Sequence, residues 1–180
     1  MGSVEGDCCG PDQMERVLEC CYDDMRRLAR RMVAGDSLRI VFQPTDLANE
    51  AVLRLLQSAP VAVQDRGHLL ALAARTIRRV LIDEARRQAR IKRRRPELLT
   101  RLPGAPPTAL ISVEDFDAAL AALERFSPEH ARVVELRFTF GLTVEEAAAT
   151  LGVAERTVKR RWQAARAWLQ DHIGNAHEPG

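Results

Sequence analysis

The chain of 180 residues is 46% hydrophobic and only 4% aromatic, with a formal net charge of +2. That is enough apolar material for one medium domain or two small ones packed through aliphatic side chains, and the abundance of Leu, Ala, Arg and Glu favours helices over sheet. The central apolar run Leu69 to Ala74 falls far short of the roughly 18 residues of a membrane span, and the acidic, Gly-rich start is unlike a signal peptide, so a cytoplasmic protein without membrane insertion is expected.

Residues 1–12 read as a loose tail. Cys8, Cys9, Cys20 and Cys21 form two vicinal pairs, which match neither a zinc-binding CxxC spacing nor a secreted disulfide framework. They are read as structural or incidental thiols, with redox or metal sensing as the alternative, and no metal site or cofactor is expected. From Gln13 to Val33 the residues Val17, Leu18, Cys21, Met25, Leu28, Ala29 and Met32 recur at helical spacing, with Arg26, Arg27, Arg30 and Arg31 on other faces. A connector containing Ile40, Val41 and Phe42 is too short to claim as a strand. Pro44 allows a helix start, and Leu47, Ala51 and Leu55 carry the next apolar stripe while Asp46, Asn49, Glu50 and Arg54 face elsewhere. Pro60 and Gly67 make residues 58–67 a loop.

The following helix has Leu70, Ala73, Ile77, Val80 and Leu81 on its apolar face, and Arg75, Arg79, Arg86 and Arg90 within about 60° on the opposite side. Four cations in a row repel one another, which points to a polyanion as their normal cover rather than solvent alone. Residues 13–95 are therefore taken as a first helical domain. Pro96, Pro103, Pro106 and Pro107 with Gly104 exclude regular helix, making residues 96–112 a flexible linker.

A second domain is expected over residues 113–174. Its first helix places Phe116, Ala119, Leu120 and Leu123 on one side; Ser127 should cap the next, with Pro128 at its first position, Glu129 and Glu135 outside, and Val133, Val134, Leu136 and Phe138 inward. Charge is segregated along the chain: residues 75–95 hold ten Arg or Lys, and residues 112–130 hold five acids against Arg125. The asymmetry suggests separate surfaces for different partners.

The stretch Leu142 to Ile173 reads as a short helix, a tight turn and a longer basic helix, that is, a helix-turn-helix. Thr143 caps the first helix, Glu145 and Glu146 sit in its first turn, and Ala147, Ala148 and Leu151 bury its inner face. Gly152 supplies a left-handed turn and Val153 packs in the angle. On the second helix Val158, Trp162, Ala165, Leu169 and Ile173 lie within about an 80° arc, opposite Arg156, Lys159, Arg160 and Gln163. Such side chains neutralise phosphates or donate to base edges, and a helix fits the major groove of DNA. The plainer alternative is a solvated basic face in a helical bundle.

Taken together, TDLANEAVLRLL, ARTIRRVLIDEARRQARIKRR and SPEHARVVELRFTFGLTVEEAAATLGVAERTVKRRWQAARAWL resemble bacterial sigma factors of the ECF (extracytoplasmic-function) type, sigma-70 superfamily, over nearly the whole chain. The resemblance implies an all-α chain of two small helical domains joined by a flexible linker. It implies that the first domain binds core RNA polymerase through Asp46, Asn49, Glu50 and Arg54, and melts and reads the −10 promoter element near the 58–67 loop and the helix of Arg75, Arg79, Arg86 and Arg90. The second domain would read the −35 element of promoter DNA through Arg156, Thr157, Lys159, Arg160 and Gln163. Two departures stand out. The helical stretch that family members carry before Tyr22-Asp23-Asp24 is shortened, and Gln43-Pro44-Thr45-Asp46 enters the polymerase-binding helix where acids are common. Thr45 is therefore a candidate phosphorylation site, and an anti-sigma factor or a Ser/Thr kinase is a candidate regulator.

Two other classes compete with this reading. A stand-alone helix-turn-helix regulator binding operators without polymerase would leave the basic helix of residues 75–90 unexplained. An enzyme is not expected: His68, His130, His172 and His177 are scattered, and the chain has no HExxH, P-loop or nucleophile elbow.

Overall fold

The computed structural model describes residues 11–33, 43–57, 65–92, 99–101 and 110–177, with only the backbone described at residues 11–20, 88–89, 91–92, 101 and 175–177. Cys8 and Cys9, the Ile40–Phe42 connector, most of the 58–67 loop, Arg93 to Arg95, most of the proline-rich linker, and the side chain of Cys20 lie outside the described residues.

Helix α1, Pro11–Met32, starts two residues before the expected position. Cys21, Met25, Leu28 and Ala29 are buried along one face, while Arg26, Arg27, Arg30 and Arg31 are exposed. Arg30 and Arg31 fall in the last turn, where cations offset the carbonyl end of the helix. Helix α2, Pro44–Gln57, opens on a proline whose missing N–H is no loss there and buries Leu47, Ala48, Ala51 and Leu55. Helix α3, Arg66–Lys92, is capped by Asp65, whose carboxylate accepts from His68 N–H at 2.7 Å. Its buried surface is wider than one stripe: Leu69, Leu70, Ala73, Ala74, Ile77, Val80, Leu81, Ile82 and Ala85 all lie inside. The helix packs α1 and α2 on one side and elements of the C-terminal half on another.

Within the linker range, β1 (Leu99–Arg101) and β2 (Leu110–Ser112) form an antiparallel ribbon with Thr100 opposite Ile111. Helix α4, Val113–Phe126, is capped by Ser112, whose hydroxyl accepts from Asp115 N–H at 2.9 Å. Helix α5, Pro128–Val134, has its proline at the start, but the expected side-chain cap is absent: the Ser127 hydroxyl pairs with His130 Nδ1 at 2.6 Å instead. A π-helical turn, Glu135–Thr139, follows, then α6 (Val144–Leu151) and α7 (Glu155–His177).

Two apolar clusters result. One joins α1, α2 and α3 to Val113, Val133, Leu136, Ala147, Ala148 and Val158, so it runs through both halves of the chain. The other lies among α4, α5 and α7, with Phe116 edge-on to Phe138 at 5.1 Å between ring centres. The fold is all-α apart from the short ribbon, and no helix among the described residues is long and apolar enough to cross a membrane.

Candidate nucleic-acid interface

Helices α6 and α7 are held by local chemistry at each end of the turn between them. Thr143 Oγ1 accepts from Glu146 N–H at 3.1 Å, and the Glu146 carboxylate accepts from Thr143 N–H at 2.8 Å, which satisfies two otherwise free donors. The Glu145 carboxyl is held below its usual range by its own backbone N–H and by the Thr143 hydroxyl. Gly152 ends α6 at φ 63°, ψ 31°, a conformation that penalises any residue with a Cβ, and Val153 N–H donates back to the Ala148 carbonyl at 3.1 Å. On α7, Val158, Ala165, Leu169 and Ile173 are buried and Trp162 is partly buried under the Arg137 guanidinium, 5.0 Å from the ring centre. That fixes the rotation of the helix. Arg156, Lys159, Arg160 and Gln163 consequently face outward, with Thr157 half-buried at their edge. Lys159 sits 3.5 Å from Glu155, one turn back, an exposed pair too weak to hold the ammonium from a phosphate.

The arginines of α3 are differently placed. Arg79, Arg86 and Arg90 are exposed and Arg75 is half-buried, all on the side away from α1 and α2. Three of them meet carboxylates of α4: Arg75 pairs with Glu124, Arg79 Nε lies 3.7 Å from Asp117, and Arg86 Nε donates to Glu114 at 3.2 Å. The acid-rich and base-rich segments, expected to serve different partners, thus face each other, because α4 lies antiparallel along α3 and brings opposite charges into register.

Between them is a residue that the sequence reading passed over. Arg78 is 2% exposed, donates from Nε to Asp117 at 2.8 Å and from its two terminal nitrogens to Glu135 at 3.1 and 2.6 Å. Glu135, expected on the outside of its helix, is 6% exposed and also accepts from the Thr139 hydroxyl at 2.7 Å. Glu135 still lies in regular α geometry, its N–H donating to the Ala131 carbonyl, so it shares the face of buried Ala131 one turn back and is carried inward to Arg78. Burial disfavours the Arg78 charge, but the facing Glu135 and Asp117 carboxylates more than offset this and raise its pKa. A usable signal was present: Arg78 sits between Ala74 and Leu81 at the i−4 and i+3 positions, inside the buried arc of α3.

Helix α2 carries a third exposed surface. Asp46, Asn49 and Glu50 are exposed and Arg54 is half-buried, with Leu53 and Leu56 about half exposed beside them. Arg54 donates to Asp83 of α3 at 2.7 Å and to Glu50 at 3.1 Å, and its pKa is raised chiefly by Asp83. Tyr22 donates to Asn49 at 2.6 Å. Thr45, half-buried in the first turn of α2, lies where free N–H groups favour negative charge.

The sigma factor RpoE of Bartonella quintana, solved in complex with the anti-sigma factor NepR, aligns over 91% of this chain and 98% of its own at 17% identity. The TM-score is 0.37, too loose a likeness to bear on how the helices are arranged. The family model described as "ECF sigma factor" matches residues 5–175, nearly the full length, and the chain belongs to that family.

Proposed function

We propose that the chain works as an alternative sigma factor through three separate surfaces. The exposed face of α7 enters the major groove of the −35 element, with Arg160 and Gln163 at base edges, Arg156 and Lys159 on phosphates and Thr157 at the margin. Arg75, Arg79, Arg86 and Arg90 hold the backbone of the displaced −10 strand. Strand separation needs cations for the phosphates and faces for the unstacked bases, which duplex readout does not. Asp46, Asn49, Glu50 and Arg54, with Leu53 and Leu56 between them, bind core RNA polymerase. Residues 13–95 and 113–174 form the two functional domains, with 96–112 as the linker.

The observation that carries this reading is the α6–α7 pair, whose caps, turn and buried stripe leave the basic and amide side chains of α7 outward along one line. In this role the chain performs no reaction itself and acts in the cytoplasm, where polymerase and promoters are. An anti-sigma factor is a fitting regulator, as is a Ser/Thr kinase acting at Thr45, where a phosphate would add about −1.5 to −2 charge beside the helix N-terminus. Operator binding without polymerase is the weaker reading, since it leaves the exposed face of α2 without a partner.

The test is transcription in vitro with core polymerase and genomic fragments. Discrete transcripts that require both the chain and core polymerase are expected; none from any fragment set would overturn the assignment of these roles.

A further inference from the structure

The face of α3 assigned above to the −10 strand is not open. Running antiparallel to it, α4 sets Glu124 against Arg75, Asp117 against Arg78 and Arg79, and Glu114 against Arg86. Arg75 and Arg86 are eleven residues apart and Glu114 and Glu124 ten, so each row spans about 15 Å at the helical rise. The carboxylates therefore match the cations in both spacing and direction. At the centre, Arg78, Asp117 and Glu135 form a mostly buried ionic trio, with Arg78 also stacked 5.5 Å over the Phe116 ring. Buried ion pairs add little net stability compared with apolar packing, and their best-attested use is to fix register. By contrast, the α2 face and the α7 face are exposed in the same arrangement.

We infer that α4 is a built-in mimic of the promoter strand: in the free chain its carboxylates occupy the α3 arginines, the Arg78 trio sets the register, and single-stranded DNA must displace α4 to bind. This rests on the reading of the chain as a sigma factor, because that reading makes the α3 face a strand-binding surface. Competition follows by mass action: whatever weakens the closed arrangement raises the apparent affinity for the strand in proportion. Part-exposed rim pairs such as Arg75–Glu124 and Arg86–Glu114 contribute modestly one by one, but reversing both acids turns two attractions into two repulsions. The trio then holds a register that the rim opposes.

The full-length chain is labelled through non-native amino acids at the exposed Gln57 of α2 and Gln170 of α7, and two quantities are read: the energy-transfer distance, and the affinity for a fluorescent single-stranded oligonucleotide. Wild type should show one narrow distance distribution and weak binding. Glu114→Lys with Glu124→Lys should lengthen and broaden the distance and tighten oligonucleotide binding by about tenfold. The gain is measured against Asp23→Lys with Asp171→Lys, which makes the same change in net charge at exposed positions outside the α3–α4 ion pairs. Adding Arg86→Glu to the reversed pair restores an ion pair across the helices and should bring back the wild-type distance while abolishing the DNA gain. Asp117→Asn, a milder change at the trio, is measured alongside and should shift both quantities in the same direction.

A reversed variant with intact circular dichroism that keeps the wild-type distance, or that binds the oligonucleotide no better than the charge control, overturns the inference. If that variant is unfolded, Asp117→Asn decides by the same distance and by binding compared with Asp23→Asn, which matches it in charge. Neither readout involves polymerase or a promoter, so their failure counts against the mimic, while failure of in vitro transcription counts against the sigma-factor roles.

Discussion

Replacing Arg78 with methionine should be among the most damaging single changes in the chain, and the structure indicates how damaging. The guanidinium is 2% exposed and makes three hydrogen bonds, two to Glu135 and one to Asp117. Methionine fills much of the same volume, so cavity formation is a minor part of the cost. What remains is a Glu135 carboxylate at 7% side-chain exposure with the Thr139 hydroxyl as donor, and an Asp117 carboxylate at 16%. Breaking a buried pair by removing one partner costs about 3–5 kcal/mol. Water reaches Asp117, and Arg79 lies near it, so the low end, about 3 kcal/mol, is expected. Replacing both partners, Arg78→Met with Glu135→Gln, removes the isolated charge and should recover at least half the loss. Urea unfolding of the single and double variants, followed by circular dichroism, measures both. A loss under about 1 kcal/mol for Arg78→Met, or no recovery in the double variant, would refute the idea that the trio is buried and mutually dependent.

Asp24, 9% exposed, keeps a pKa below the usual carboxylate range; burial opposes this, but hydrogen bonds from Arg66 and Arg27 prevail. Its contribution should be complete above the unfolded value near 4 and lost as pH falls through the lower folded value, so Asp24→Asn should weaken the protein by about 1–3 kcal/mol at pH 7 and flatten its acid unfolding, measured by urea titration. On the −35 face, Arg160→Ala and Gln163→Ala should each cost about 1–3 kcal/mol on an optimal promoter and relax preference at particular base pairs, whereas Lys159→Ala should weaken all sequences alike. Equal losses on optimal and scrambled upstream elements, read by holoenzyme binding, would remove the base-reading role. Thr45→Glu should tighten binding to core polymerase relative to wild type and Thr45→Ala, with the gain shrinking as salt rises; an equal affinity would leave Thr45 as a helix-start residue only.

Much of the architecture could be read from residue spacing, for reasons that the structure makes clear. The stripes of α2 and α7 and the Thr143, Gly152 and Val153 signals are local, each set by contacts within a turn or two, and the structure places them as read, as it does Cys21, Met25, Leu28 and Ala29 of α1, whose Val17 and Leu18 side chains lie outside the described residues. The residues that went astray depend on something distant or irregular. Glu135 looked external because it is charged, although it shares the face of buried Ala131 one turn back, and its partner Arg78 lies on a helix distant in sequence. The hydroxyl of Ser127 fits a cap by type but found His130 closer. The acid-rich and base-rich segments were legible as charge, and the antiparallel approach of α4 that sets one against the other was not, since register between distant helices leaves no periodic trace. The candidate site divides in the same way. The outward face of α7 follows from its buried stripe alone, whereas the cover over the α3 arginines emerges only from the fold.

The central claim, that this chain selects promoters as a subunit of polymerase, is most directly tested by comparing binding of a promoter fragment with and without core enzyme, using a fragment identified by transcription. The account predicts a sequence-specific complex when chain and core polymerase are both present, with the free chain binding the same fragment weakly and little better than a scrambled one. Tight, sequence-specific binding by the free chain, unchanged by core polymerase, would contradict it.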